Sequence, residues 1–310
     1  MNRKSPLRPA KARPVAIFLG MLLTGMAVFF PAIVAAGPND GVEGLNEDQQ
    51  AIAARFLTFL SDMDAKFFER ARDLNGGVLA EESKELNFDF ADYYVRVGRG
   101  PVVEKIGRMT GKILKPTSDI QRPTVFGRYY GIDVHAKSPL MGQVHAAFVL
   151  QIYPDGSTAV GGTLNLLRGA AQDEDLTYMK EALDAVFAKH GVDGAPFRER
   201  LCNSAELAPN EKFHRKLACV GATFFGYPMM SVTEENYLFM TDIYETFIDA
   251  YMDTLERRKD QPYTDEDLAA QDAMRRNWFE DQVFGDPYSS SGITPYEVWS
   301  HAFLPPVIKF

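Results

Sequence analysis

Apolar positions recur at two different periods along the chain, and the change of period divides it. In "LNEDQQAIAARFLTFLSDMDAKFFERARDLNGG", Ile52, Phe56, Phe59, Leu60, Met63 and Phe67 return every three or four residues. That spacing places them on one face of a helix. Asn46 is positioned to cap it, Glu47 and Asp48 suit its positive first turn, and Gly76 stops it. From Leu86 to Leu167 the pattern becomes short β-rich runs punctuated by glycine: "LNFDFADYYVRVGRG", "PVVEKIG", "TVFGRYYGIDVH", "VHAAFVLQIY" and "STAVGGTLNLL". The last two are joined through Pro-Asp-Gly, a turn signal, so these runs predict an antiparallel meander. Helical periodicity then returns in "DEDLTYMKEALDAVFAKHG", with Asp173 as cap and Gly191 as stop, and in two further stretches beginning at Thr233 and Thr264. "RKLACVGATFFGYPM" reads as one more strand between helices. The pattern predicts a single α+β domain with a large antiparallel sheet covered by helices.

Charge and composition add a compartment and exclude some partners. The first fourteen residues hold Arg3, Lys4, Arg8, Lys11 and Arg13 and no acid, and an apolar run from Val15 to Ala36 follows. With Val34-Ala35-Ala36 at its end, this reads as a secretory signal over 1–36 cleaved after Ala36; an uncleaved anchor is the rival reading. A flexible lead-in over 37–45 and a domain over 46–310 complete the organisation. Of 33 Lys and Arg, the leader takes five, leaving 28 against 42 Asp and Glu, a charge of −14 for the exported part. So acidic a chain repels phosphate backbones, which argues against nucleic-acid binding. The only cysteines are Cys202 and Cys219. They are too few for an iron-sulfur cluster, and an oxidising compartment permits a bridge between them.

Candidate chemistry centres on the histidines. His135 and His145 stand ten residues apart, flanking a turn, in "HAKSPLMGQVH". Together with "GPVVEKIG", "VGGTLNL", "KFHRKLACVGATFFGY", "MRRNWFEDQVFGD" and Glu297 before "FLPPV", the order of motifs resembles the oxygen-dependent coproporphyrinogen III oxidases from Asn46 to the C-terminus. The resemblance implies that family's fold, a large antiparallel sheet flanked by helices on both faces, and its homodimer. It also implies oxidative decarboxylation of coproporphyrinogen III to protoporphyrinogen IX in haem biosynthesis. For an active chain the resemblance implies molecular oxygen as co-substrate, with no flavin, nicotinamide or iron-sulfur cluster. His145 matches the family's proton donor. His135, His145 and His214 match three of four histidines proposed as divalent-metal ligands, and Tyr178 falls near the fourth.

The departures bear on substrate. Where the family has Asn and Arg two and four residues beyond the proton donor, on the same strand face, this chain has Ala147 and Val149. A family serine is Gly131, an acidic pair is Gly226-Tyr227, and a C-terminal Arg is Pro295. Four propionates need charge-assisted donors, so these losses argue against the usual substrate in the usual pose. Arg128 and Lys137 are the candidates to take over carboxylate binding, Arg128 for its fork-shaped donor. The alternatives are a non-catalytic extracytoplasmic tetrapyrrole-binding protein on that scaffold, or an enzyme that uses the histidines for a metal. Glu104 and Lys105 read as a cross-strand pair, and the stripe Tyr237, Phe239, Tyr244, Phe247, Tyr251 reads as core.

Overall fold

A computed structural model describes residues 41–117, 121–207, 214–225, 229–285 and 294–310. The leader, Gly226-Tyr227 and most of "FGDPYSSSG" lie outside these residues. The described elements are α1 (Glu47–Leu74), β1 (Ala80–Asn87), β2 (Ala91–Arg99), β3 (Val103–Ile113), β4 (Phe126–Ala136), β5 (Gln143–Ile152) and β6 (Thr158–Leu167). They continue as α2 (Asp173–Lys189), α3 (Ala195–Leu207), β7 (Ala222–Thr223), α4 (Glu234–Arg258), α5 (Asp265–Glu280), a π-helical turn (Asp281–Gly285) and α6 (Tyr296–Ala302).

The described strands form one open antiparallel sheet in sequence order, β1 to β7, the expected meander. Because side chains alternate along each strand, the register sorts them onto two faces. One face carries Tyr130, Ile132 and Val134 of β4, Val144, Ala146, Phe148 and Leu150 of β5, and Val160 and Leu164 of β6. These pack with the stripe of α1 and with α2 and α4 into the main core, where the aromatic stripe of α4 is buried as expected. Phe148 sits at its centre, 5.1 Å from Phe56 and 5.6 Å from Tyr244 between ring centroids. The other face meets α5 and α6, so helices do cover both faces.

Local signals explain most boundaries. Asn46 and Gln49 form a capping box on α1, and Thr264 and Asp267 form another on α5. Three details differ from the sequence reading. "LNFDFADYYVRVGRG" is split by a turn, with Phe88 N–H donating to Ala91 O at 2.9 Å. Its first limb extends back into the polar edge strand β1, whose exposed acids and Lys84 give no apolar alternation and guard the edge. The N-cap of α2 is Gln172 rather than Asp173, which is its first helical residue. The strand expected over "RKLACVGATFFGYPM" shrinks to Ala222–Thr223 with an isolated bridge at Leu217, because Cys219 has φ of 57°, which extended backbone cannot accommodate.

α5 holds the turn between β4 and β5 in place. Gln271 Nε2 donates to Ala136 O and Ser138 O, each at 3.2 Å, and Arg275 Nη2 to Ala136 O at 2.9 Å. From the other side of the sheet the Tyr251 hydroxyl donates to Gly142 O at 2.8 Å. The ends of the strands carrying His135 and His145 are thereby fixed. Among the described residues no helix is long and apolar enough to cross a membrane.

Candidate functional site

A polar row crosses the second face of the sheet. Asp133 on β4 is in register with His145 on β5, which is in register with Asn165 on β6. Lys105 on β3 pairs with His135 one step along, and Gln143 begins β5 on the same face. All six side chains are buried. Burial of so many polar groups needs mutual satisfaction, and the row supplies only part of it.

The centre is an aspartate–histidine pair. His145 Nδ1 lies 2.6 Å from Asp133 Oδ1, and Gln143 Nε2 donates to Oδ2 at 3.3 Å. A carboxylate oxygen can only accept, so the bond holds the proton on Nδ1 and leaves Nε2 as the ring atom that meets a ligand. Complete burial pushes the Asp133 carboxyl above its ordinary range, against the opposing pull of His145 and Lys105. The His145 ring is walled by Trp278, Phe303 and Trp299, with centroids 5.1, 5.4 and 6.2 Å away. An imidazole oriented by a carboxylate in such a box is equipped for proton transfer or for contact with an apolar ligand.

The C-terminal segment closes the site. Lys105 Nζ donates to Leu304 O at 2.5 Å, while His135 Nε2 and Trp278 Nε1 each donate to Phe303 O at 3.2 Å. Burial, reinforced by Arg99, lowers the Lys105 amine to about 7. Burial, reinforced by Lys105 and Arg275, holds His135 well below the ordinary histidine value, so it is a neutral Nε2–H donor. Two glycines make the closure possible. A Cβ on Gly107 would stand 1.8 Å from Ala302 O, and one on Gly131 would stand 2.7 Å from Phe303 Cζ. Gly131 is therefore the seat of Phe303.

The candidates from sequence are distributed unevenly. His135 and His145 share this face, with Ala147 and Val149 beside them, both buried. Arg128 belongs to the opposite set of β4 residues, with Phe126 and Tyr130, and its guanidinium lies over the Phe126 ring at 4.5 Å. It is on the wrong side of the sheet to serve a ligand at His145, because alternation turns every even β4 position away. Lys137 is exposed beyond the strand end and pairs with Glu104 at 3.2 Å. Glu104 also binds Arg275 at 2.6 Å, so the expected Glu104–Lys105 pair is not formed. His214 lies outside the Trp278 wall, more than half exposed, with its backbone N–H on Asp281 at 2.9 Å. Tyr178 contacts Asp253 at 3.2 Å on the outer surface of α2 and α4.

The three histidines matched to metal ligands are not brought together: His135 and His145 share one face of the sheet, and His214 lies beside Glu280 and Asp281. His145 Nδ1 and His135 Nε2 are engaged by Asp133 and Phe303 O, and among the described residues no three His, Cys, Asp or Glu side chains are grouped to hold an ion. Sequence reasoning missed Asp133, Lys105, Trp278 and Trp299. The one signal for Asp133 was an acid between Ile132 and Val134 on a strand whose partner carries a histidine. Cys202 and Cys219 form a disulfide, joining α3 to the segment that precedes β7. No protein-family model matches the chain.

Proposed function

We propose that this chain is a divergent protein of the coproporphyrinogen III oxidase type, exported from the cytoplasm. Its His145 face binds a tetrapyrrole, with little or no turnover of coproporphyrinogen III. The observation that carries this reading is the Asp133–His145 pair set among Trp278, Trp299 and Phe303, on a face where Ala147 and Val149 offer no donors. Such surroundings suit a flat apolar ligand and a proton donor or acceptor. They suit a substrate bearing four propionates poorly. The disulfide supports export, since such bonds persist in oxidising compartments. A homodimer is expected from the motif resemblance.

Anaerobic titration with coproporphyrinogen III and with protoporphyrin IX, followed by absorbance and fluorescence, tests this. The porphyrin is expected to bind, His145→Ala is expected to weaken it, and oxygen is expected to yield little protoporphyrinogen. The doubly substituted Ala147→Asn, Val149→Arg chain is expected to gain affinity for coproporphyrinogen. Robust wild-type turnover abolished by His145→Ala would replace this reading with the full family reaction.

A further inference from the structure

We propose that Lys105, His135 and Trp278 form a carboxylate-binding site for which the C-terminal segment of the same chain competes. The three side chains come from β3, β4 and α5, and each is at least nine-tenths buried. All three aim N–H donors at two consecutive backbone oxygens: Lys105 at Leu304 O, His135 and Trp278 at Phe303 O. Convergent donors, one of them able to carry a charge, on a pair of neighbouring oxygens is the arrangement that recognises a carboxylate. Here the acceptors are neutral peptide carbonyls. Among the described residues no carboxylate lies within ion-pair distance of Lys105; Asp133 and Glu82 act on it from farther away and offset its burial only in part.

Two further observations point to a site rather than a finished core. His135 Nδ1, Gln143 Oε1, Asn165 Oδ1 and Trp299 Nε1 are buried on this side of the sheet without a hydrogen-bond partner. Complete native cores leave few such groups, and here one of them, His135 Nδ1, belongs to the site itself. The covering residues are also held by close approach, through Ala302 over Gly107 and Phe303 over Gly131. A carboxylate entering the site takes over the three donors as Phe303 and Leu304 withdraw. Asp133, two residues along β4 from His135 on the same face, opposes a second negative charge in the site. This deepens the ligand-site reading of the His145 face, because the donors would receive one acidic side chain of a bound tetrapyrrole. It does not require the macrocycle itself.

The test uses the full chain and 3-phenylpropionate, with 3-phenylpropan-1-ol as the uncharged control. The only two tryptophans, Trp278 and Trp299, both line the site, so intrinsic fluorescence reports on it alone. The acid is expected to give a saturable change at pH 6.5 and the alcohol none. Lys105→Met should weaken binding about tenfold or more, the scale of a charge-assisted contact. Phe303→Ala, which loosens the competing segment, should tighten it several-fold. If Lys105→Met fails to fold, Trp278→Phe keeps the ring, removes the donor and should weaken binding as read from Trp299. Equal binding of the alcohol, unchanged affinity in the donor variants, or no gain in Phe303→Ala would overturn the proposal. Loss of porphyrin binding with carboxylate binding intact would count against the tetrapyrrole alone.

Discussion

The two faces of one sheet differ in what they bury. Toward α1 and α4 the strands present Ile132, Val134, Val144, Phe148 and Leu150, which meet aromatic and aliphatic partners, with the buried hydroxyls of Tyr130 and Tyr244 left unpaired among them. Toward α6 the same strands present Lys105, Asp133, His135, Gln143 and His145, buried to a similar degree and also with atoms left unpaired. Backbone and register are common to both, so stability and chemistry are separated only by odd and even positions. The first face makes the fold. The second gathers the buried polar side chains, and it is the face that the proposal above makes the ligand site.

Substitutions should break the two faces differently. The largest effect belongs to the apolar face: Phe148→Ala should cost about 3–5 kcal/mol in denaturant unfolding, since it empties the centre of a packed aromatic cluster. A loss below about 1 kcal/mol would mean that this core is not the one that holds the sheet.

On the second face Lys105→Met should act in the opposite sense and raise stability by about 1–4 kcal/mol near pH 7, as replacement of buried charge by apolar volume often does. The pH dependence follows from the lowered amine. Folding brings it from 10.5 to about 7, under burial and the repulsion of Arg99, with Asp133 and Glu82 pulling the other way. His135, neutral, and His301, itself lowered chiefly by burial, are the other titratable groups coupled to it. Between those two values the unfolded chain holds the extra proton, so wild-type stability rises as pH climbs through the window. The advantage of Lys105→Met should therefore be full below about 7 and fade toward 10.5. Thermal melts of both chains across that range check it, and a constant gap would contradict a buried amine.

The smallest effect belongs to the exposed ion pairs between α1 and α4. Lys66 binds Glu245 at 2.5 Å and Asp249 at 2.6 Å, with all three side chains partly exposed. Lys66→Ala should change stability by less than about 1 kcal/mol and less still in high salt.

The apolar face was legible in the sequence because its signals are local. The α1 stripe, its Asn46 cap, the Pro-Asp-Gly turn and the α4 aromatics each lie within a few residues of what they pack against or terminate. The second face was legible only in His135 and His145. Lys105 reads as one half of a surface pair, and its partner, Leu304 O, is 199 residues away. Asp133 reads as ordinary strand alternation until β5 brings His145 opposite. Arg128 was misplaced because its side of the strand depends on parity, and neighbouring Gly127 and Gly131 blur the pattern that would have set it. α6 is too short for a periodic stripe, yet it supplies Trp299 and leads directly into Phe303.

The central claim is that the ligand face is the one bearing His145. Energy transfer from the two tryptophans to protoporphyrin IX tests it most directly, because both line that face. Wild-type protein should show saturable tryptophan quenching with sensitised porphyrin emission. His145→Ala should weaken the binding, whereas Arg128→Ala, on the opposite face, should leave it within about twofold, less than 0.5 kcal/mol. Porphyrin binding unchanged by His145→Ala, or lost in a folded Arg128→Ala chain, would contradict the account.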